Sequence, residues 1–180
     1  MKNIGCLLVL FALLSCSGNK LEKELTNFIG TEILFPENMQ ANLQGKDTLM
    51  SFSHAPLKMV VWYDSIGCSS CRIQQMHDWN EIIRYAGENC EVFEPVFIFS
   101  PKVSDLYSVN IALRMAGFEY PVYVDPGNFF HKNNPDIPSN ERMHTFLIDE
   151  NNKVVLVGSP LRNELLWELY KEQVESQRKR

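Results

Sequence analysis

The sequence predicts a mixed α/β domain in which helices cover both faces of a central sheet. Two continuous apolar runs, at residues 57–63 and 92–99, are typical of strands that are buried on both faces. Each run is followed by a segment in which apolar residues recur every three to four positions, as in an amphipathic helix. Later, two shorter apolar runs flank the polar sequence Glu150-Asn151-Asn152-Lys153, which indicates a hairpin. Strands that alternate with helices and end in a hairpin favour this architecture.

Length, composition and charge indicate one globular domain that does not bind nucleic acid. A chain of 180 residues is typical of one domain, and 45% hydrophobic with 22% charged residues is an ordinary globular composition. The formal charge is −5, from 17 basic and 22 acidic residues, and no run of Lys or Arg is long enough to follow a nucleic-acid backbone. We therefore expect no nucleic-acid partner.

Residues 1–15 are predicted to be a signal peptide. Lys2 precedes an uncharged apolar run at residues 4–14, which is too short to span a membrane because a spanning helix needs about 20 residues. Leu13-Leu14-Ser15-Cys16 resembles the bacterial lipobox, which implies cleavage before Cys16 and acylation of its thiol. We therefore expect a lipid anchor at Cys16, in the bacterial cell envelope, with the domain facing the periplasm or the exterior. The alternative is an ordinary secreted protein.

Residues 16–56 are predicted to hold the lipid anchor, a tether and two N-terminal strands. Residues 21–29 are expected to form a short helix, and residues 30–39 and 49–52 two strands around a polar turn at Gly45-Lys46-Asp47. The main domain is predicted at residues 57–180. Its helices are expected at residues 71–86, 104–116 and 161–174, and its shorter strands at residues 121–124, 145–149 and 154–157.

Three features of the predicted helices are specific enough to check. Ser104 is expected to cap the N-terminus of the second helix, and Gly117 to end it. The last helix is expected to bury Leu161, Leu165 and Leu169, which recur every four residues, and also Val174.

The cysteine content favours reactive cysteines over a framework of structural disulfides. Five cysteines are present: Cys6, Cys16, Cys68, Cys71 and Cys90. Removal of the signal peptide and acylation of Cys16 would leave three, and an odd number argues against a stapled scaffold. Cys90 is expected to pack as an inert, small hydrophobic residue.

The chemistry is predicted at Cys68-Ser69-Ser70-Cys71, where a buried strand gives way to a helix. Two intervening residues let both sulfurs face each other across the first helical turn, so a disulfide closes with little strain. The helix N-terminus favours a thiolate at the first cysteine. Cys68 is therefore the expected attacking nucleophile and Cys71 a buried resolving thiol, with Ser69 and Ser70 as candidates to tune the thiolate.

Three segments carry a family resemblance: Val60-Val61-Trp62-Tyr63, the Cys68–Cys71 motif, and the late strands from Thr145 to Gly158. With them, the region from Leu57 to Glu175 resembles a thioredoxin-like domain of the membrane-anchored TlpA/ResA type, and the related peroxiredoxin-like group. The resemblance implies a thioredoxin-like fold, here with an N-terminal hairpin extension, and thiol-disulfide exchange with envelope proteins. It also implies protein thiol or disulfide substrates, no cofactor besides the redox-active disulfide, and a membrane electron donor if the protein is a reductant.

His144 marks a departure from that family, which has a cis-proline immediately before the threonine equivalent to Thr145. A cis bond before a non-proline residue costs about 2.5–4 kcal/mol, so we expect a trans Met143–His144 peptide and a reshaped substrate groove. Gly67 also stands where the family has an aromatic residue. His144 has three open roles: tuning the Cys68 thiol, binding Cu(I) or zinc together with Cys68 and Cys71, or lining the groove with Thr145.

Two alternatives to an oxidoreductase follow from the same residues. One is a copper- or zinc-binding module similar to the Sco proteins, with Cys68, Cys71 and His144 as ligands. The other is a redox-inactive thioredoxin-like domain kept for protein interactions. His131 is expected in a loop without partners and carries no assignment.

Overall fold

The computed structural model describes residues 20–37, 39–48 and 54–180. The predicted signal peptide, Cys16 and the predicted strand at residues 49–52 lie outside these residues. Within them, no helix is both long enough and apolar enough to cross a lipid bilayer.

A seven-stranded mixed sheet forms the centre of the molecule. Its strands are β1 (Gln40–Leu43), β2 (Lys46–Asp47), β3 (Leu57–Tyr63), β4 (Phe93–Phe99), β5 (Val122–Val124), β6 (Thr145–Ile148) and β7 (Val154–Val157). They lie in the order β2-β1-β5-β4-β3-β6-β7. β3, β4 and β5 are parallel, whereas β6 is antiparallel to β3, and β1 is antiparallel to β5. The predicted mixed α/β architecture is confirmed.

Helices cover both faces of this sheet, as predicted. They are α1 (residues 20–28), α2 (Ser69–Gln74), α3 (Asn80–Glu88), α4 (Leu106–Ala116), α5 (Phe129–Asn133) and α6 (Glu164–Arg178), with 3-10 turns at Met76–Trp79, Val103–Asp105 and Glu141–Met143. Successive side chains of a strand point to opposite faces, so β3 contributes Met59 and Val61 to one core and Val60 and Trp62 to the other. The first core also holds buried residues of α2, α3, α4 and α6, and the second holds buried residues of α1 and α5.

The predicted single helix at residues 71–86 is divided in the structure. α2 begins at Ser69 and ends at Gln74, a 3-10 turn covers Met76–Trp79, and α3 continues from Asn80. Ile73, Met76 and Trp79 are all buried and recur every three residues, which matches the 3.0-residue turn of a 3-10 helix better than an α-helix. The Trp79 indole also donates a hydrogen bond to the Tyr63 hydroxyl at 3.0 Å, which ties the divided helix to β3.

The N-terminal extension is a hairpin, but its strands lie closer to the turn than predicted. β1 and β2 directly flank Gln44 and Gly45, whose φ angles of 51° and 75° form a two-residue hairpin turn. The Asn42 side chain accepts a hydrogen bond from the Gly45 amide at 2.9 Å and fixes this turn. The strand predicted at residues 30–39 is wrong, because the described residues of that segment, 30–37 and 39, make only an isolated bridge between Glu32 and Lys153.

Two helix ends differ from the predictions and one agrees. Ser104 does not cap α4; its hydroxyl donates to the Asp105 side chain within a preceding 3-10 turn. Gly117 ends α4 with φ 61°, as predicted. α6 begins at Glu164, after Asn163, whose side-chain oxygen accepts from the Leu166 amide at 3.1 Å.

The predicted burial of Leu165 and Leu169 on the last helix is also wrong, whereas that of Val174 is confirmed. Leu165 is 76% exposed and Leu169 is 38% exposed, whereas Tyr170 and Val174 are fully buried. Leu165 and Leu169 are four residues apart, and so are Tyr170 and Val174. The spacing of apolar residues therefore does not show which of these two faces of α6 is buried. The aromatic face packs inward because Trp167 meets Tyr85 edge to face, with ring centroids 5.1 Å apart.

Candidate active site beside a buried histidine

Cys68 and Cys71 form a disulfide at the point where the chain leaves β3 and enters α2. Their Cα atoms are 5.3 Å apart, within the range that a disulfide requires. Cys68 is the N-cap residue of α2, and its Sγ accepts a hydrogen bond from the Cys71 backbone amide at 3.3 Å. The Ser70 hydroxyl lies 3.4 Å from the same sulfur. Donors at a helix start stabilise a thiolate, so these contacts favour Cys68 as the nucleophile after reduction.

Both cysteines are exposed, and the prediction of a buried resolving thiol at Cys71 is therefore wrong. The reason lies in the register of α2. Ser69 and Ile73 are its buried residues, and they share one face because they are four positions apart. Cys71 lies midway between them in sequence and therefore points away from the core.

The loop that precedes Cys68 is held by Asp64, a residue to which the sequence pattern assigned no role. Asp64 Oδ1 accepts hydrogen bonds from the backbone amides of Ile66, at 2.9 Å, and Gly67, at 3.3 Å. This local turn fixes the backbone that leads into the cysteines. It also leaves Ile66 85% exposed, so an apolar side chain projects into solvent two residues before the disulfide.

His144 is buried, with 4% of its surface exposed, at the start of β6. Its Nε2 lies 2.9 Å from the Pro138 carbonyl oxygen, and its ring centroid lies 4.4 Å from that of Trp62. The described residues contain no cis peptide bond, so the Met143–His144 bond is trans, as expected. The backbone carbonyl of His144 accepts from the Trp62 amide at 2.8 Å, which extends the β3–β6 pairing by one step.

Asp64 and His144 face each other across the base of the site. The distance from His144 Nδ1 to Asp64 Oδ2 is 4.0 Å, and both side chains are largely buried. Burial lowers the pKa of His144, although the Pro138 carbonyl and the Asp64 carboxylate oppose that shift. Because a carbonyl oxygen only accepts, the neutral ring carries its proton on Nε2, and Nδ1 faces the carboxylate as an acceptor. The neutral form is therefore favoured at neutral pH, and His144 does not supply a positive charge to the Cys68 thiolate there.

The alternative metal site at Cys68, Cys71 and His144 is not assembled among the described residues. Among residues 20–37, 39–48 and 54–180, no three His, Cys, Asp or Glu side chains are placed to hold a metal ion together. Cys68 and Cys71 are bonded to each other, and the two ring nitrogens of His144 face Pro138 and Asp64. The structure therefore does not bring Cys68, Cys71 and His144 together as a ligand set.

A cleft of about 290 Å³ opens beside Gly67, Ser69 and Arg72, the sequence neighbours of the two cysteines. We refer to it as the disulfide cleft, although neither cysteine itself lines it. Three residues expected near the chemistry line it: Ser69, His144 and Thr145. Aromatic side chains contribute apolar surface to its wall: Trp62, Tyr63 and Trp79. An ion pair of 2.8 Å between Arg72 and Glu141 crosses its rim, joining α2 to the turn before His144.

Two other sequence predictions fail. Cys90 is an exposed free thiol and not a packed hydrophobic residue, because α3 ends at Glu88 and the following turn directs residue 90 outward. His131 lies in α5 and not in a loop, and its ring stacks on Trp62 with centroids 5.2 Å apart. Neither residue lines the disulfide cleft.

Comparison with known proteins identifies the fold. Neither a protein-family model nor a curated protein sequence matches the chain. A proposed protein disulfide isomerase from Bacteroides thetaiotaomicron has 21% identity and a TM-score of 0.53, over 84% of this chain and 94% of that one. A proposed thiol:disulfide interchange protein DsbE from Chlorobium tepidum has 19% identity and a TM-score of 0.54, over 81% and 97%. An uncharacterised thioredoxin-like protein from Porphyromonas gingivalis has 16% identity and a TM-score of 0.50, over 82% and 93%.

At this level of identity the similarity concerns the fold. The chain has the thioredoxin-like fold, with a central mixed sheet, helices on both faces and an added N-terminal hairpin. Within that fold it carries an exposed Cys-Ser-Ser-Cys disulfide where the helix after β3 begins.

Proposed function

We propose that the protein is an exported, lipid-anchored thiol-disulfide oxidoreductase that exchanges disulfides with envelope proteins through Cys68 and Cys71. One observation carries the redox part: an exposed disulfide lies at a helix start, beside an open cleft. A solvent-accessible disulfide can be attacked by an external thiolate, whereas a structural disulfide in the core cannot. The names of the similar solved structures, a disulfide isomerase and an interchange protein, support the same activity.

The exchange follows from the arrangement of the two sulfurs. In the oxidising direction a substrate thiolate attacks Cys68 Sγ, the Cys68–Cys71 bond breaks, and Cys71 leaves as a thiolate that takes up a proton. A second substrate thiolate then attacks the substrate sulfur of the mixed disulfide, and Cys68 leaves. Two electrons pass from the substrate to the protein, and the reverse sequence reduces a substrate disulfide.

Cys68 is the better leaving group and nucleophile of the pair. Its sulfur accepts from the Cys71 amide and lies beside the Ser70 hydroxyl, and these dipoles stabilise negative charge on it. The same stabilisation helps Cys68 leave as a thiolate when the second substrate thiolate attacks the mixed disulfide. Cys71 then acts as the resolving thiol that reforms the internal bond.

Export and anchoring rest on the sequence of residues 1–16. The short apolar run and Cys16 support a lipoprotein that is held to a bacterial membrane, since two or three acyl chains give durable attachment. Such an attachment would keep the oxidoreductase near a membrane electron donor. Mass spectrometry of the N-terminal peptide of the membrane-purified protein tests this: we expect Cys16 as the first residue, carrying acyl chains. An unmodified peptide, or one that begins elsewhere, contradicts the anchor.

Substitution of single cysteines tests the redox activity. In the Cys71→Ser variant the Cys68 thiolate cannot be released internally, so we expect mixed disulfides with envelope proteins to accumulate. The Cys68→Ser variant is expected to trap few or none and to lose insulin reduction by at least about 100-fold. Cys90→Ser is the matched control and is expected to retain both activities. If the wild-type protein exchanges no disulfide and its Cys68–Cys71 bond resists mild reductants, the redox-inactive interaction domain is the correct interpretation.

A further inference from the structure

A second hollow of about 250 Å³ lies next to the disulfide cleft. The two share Asp78 and Leu161 in their walls, so they adjoin each other on the side of α6. We call the second hollow the side pocket. No step of the exchange chemistry uses it, although it adjoins the cleft beside the disulfide.

The side pocket has an apolar base that is already formed. Ile82, Leu161 and Trp167 supply it, and Trp167 is held in place by its edge-to-face contact with Tyr85. Trp167 and Leu161 are only half-buried, so both present apolar surface to the hollow. Half-buried apolar side chains around a concave surface are typical of a site that receives an apolar group.

The rim of the side pocket is charged and has an acidic excess. Arg162 forms a 3.3 Å ion pair with Asp78 across the opening, and Glu81 adds a second carboxylate. Two acidic side chains against one basic side chain disfavour an acidic ligand and favour an apolar group flanked by neutral or basic residues.

The position of the side pocket fits a polypeptide better than a small thiol compound. Asp78, which forms the shared wall, follows Cys71 by seven residues along α2 and the 3-10 turn. A rise of about 1.5–2.0 Å per residue places that wall about 10–14 Å from the disulfide. An extended peptide advances about 3.3–3.6 Å per residue, so three to four residues cover the distance. A ligand that reaches both places therefore needs at least the length of a short extended peptide.

We propose that the side pocket is a specificity subsite that receives an apolar side chain, such as Leu or Phe, three to four residues from the reactive cysteine of a protein substrate. This inference rests on the proposed function, because it assigns the substrate class of the same disulfide. It favours extended polypeptide substrates over disulfides that are too short to reach the side pocket.

A peptide series tests the subsite on the unmodified protein. Each peptide carries one reactive cysteine in a disulfide and one Leu at one to six positions from it, on either side, in an Ala-Gly background. We expect kcat/KM to be highest when Leu is three or four residues away, about tenfold above the Leu-free peptide, because the side chain leaves water only in that register. Equal kcat/KM for all positions overturns the subsite.

Variants of the side pocket then test whether this pocket causes the preference for Leu at three or four residues from the cysteine. Trp167→Ala is expected to reduce the tenfold preference to less than about twofold, and Trp167→Phe to retain most of it. Leu165→Ala is the matched control, because Leu165 is exposed on the same helix but outside both hollows, and its preference is expected to equal that of the wild type. A preference that persists in a folded Trp167→Ala variant contradicts the inference.

The outcome separates this inference from the proposed function. Exchange with every peptide at one common rate leaves the oxidoreductase assignment standing and removes the subsite. Failure to exchange with any peptide, and with dithiothreitol as well, contradicts both.

Discussion

His144 shapes the site as a buried side chain that follows a trans peptide bond. The peptide before it is trans, and its ring fills space between Trp62 and Asp64 instead of opening toward a metal. Its Nε2 is committed to the Pro138 carbonyl, so the ring orientation is fixed from outside the sheet. The residue therefore shapes the wall of the disulfide cleft, and its charge state matters chiefly for stability.

The stability of the protein is expected to fall in acid partly through His144. Burial lowers the pKa of His144 in the folded protein below its ordinary value of about 6.5, so the unfolded chain binds the proton more readily. The stabilising contribution of the neutral ring is complete above about pH 6.5 and is lost as the pH falls below that value. Urea unfolding at pH 7.5 and 5.5 measures it, and the free energy of unfolding should fall more steeply for the wild type than for His144→Gln.

The glutamine variant is the control for other titrating groups. Gln can still donate a hydrogen bond to the Pro138 carbonyl but does not titrate, so the difference between the two slopes belongs to His144. Equal slopes for the two proteins would mean that the imidazole keeps its ordinary pKa in the fold.

At the scale of elements, the connection between β3 and α2 depends on one carboxylate. Asp64 accepts from the amides of Ile66 and Gly67 and thereby fixes the loop that presents Cys68. Gly67 itself has open space where a side chain would begin, so the loop conformation does not depend on a steric need for glycine. The carboxylate, rather than a glycine, therefore holds the cysteines in position.

Removing that carboxylate is expected to loosen the active-site loop. Asp64→Ala leaves the Ile66 and Gly67 amides without their acceptor and should cost about 0.5–2 kcal/mol in the free energy of unfolding, as the loss of a helix cap does. Asp64→Asn keeps an acceptor oxygen and should cost less than half as much. Urea unfolding of both variants checks this, with exposed Asp136→Ala as a control within about 0.5 kcal/mol of wild type. Equal losses for the alanine and asparagine variants would show that charge, and not the turn, is what matters.

Local sequence patterns predict a helix or strand correctly when the residues that determine it lie within or next to that element. The apolar runs of β3 and β4, the Gly117 helix end and the cysteine pair were predicted because each signal lies within a few residues. α5 was missed because its start depends on Asp125, a buried residue before the helix that accepts from the amides of Phe129 and Phe130. The buried face of α6 could not be predicted, because it depends on the contact of Trp167 with Tyr85, which lies on a helix distant in sequence.

The features of the site that depend on neighbouring residues were predicted, and those that depend on distant residues were not. The position of Cys68 at a helix start follows from a strand and a helix that are adjacent in sequence. The burial of His144 and its pairing with Asp64 depend on contacts between residues 80 positions apart, which a single sequence does not reveal. The exposure of Cys71 depends on the register of α2, and the absence of a shared ligand set among the described residues depends on the orientation of the imidazole ring.

At the scale of the whole molecule, the N-terminal helix joins the domain far from the disulfide. The chain after α1 hydrogen-bonds to the turn and strand at residues 152–154, with Gly30 N donating to Val154 O and Ile33 N to Asn152 O, both at 2.8 Å. That turn lies beside the start of β3, because Lys58 pairs with Ile148, whereas the cysteines follow the other end of β3. α1 also packs on the sheet face opposite to α2. The segment that joins α1 to the domain and the Cys68–Cys71 disulfide therefore lie at opposite ends of the fold.

The N-terminal segment is expected to belong to the cooperative folding unit because of Phe28. This side chain is 1% exposed and meets Phe146 of β6 edge to face, with ring centroids 5.1 Å apart. Phe28→Ala removes a buried aromatic ring and leaves a cavity, so it should lower the free energy of unfolding by about 3–5 kcal/mol. Leu25→Ala, on the same helix but 38% exposed, is the matched control and should cost less than about 1 kcal/mol. Urea unfolding of both variants, followed by circular dichroism and tryptophan fluorescence, measures the difference. If Phe28→Ala costs no more than Leu25→Ala, α1 is an appendage that the sheet does not need, and the packing of Phe28 against Phe146 contributes nothing to the stability of the domain.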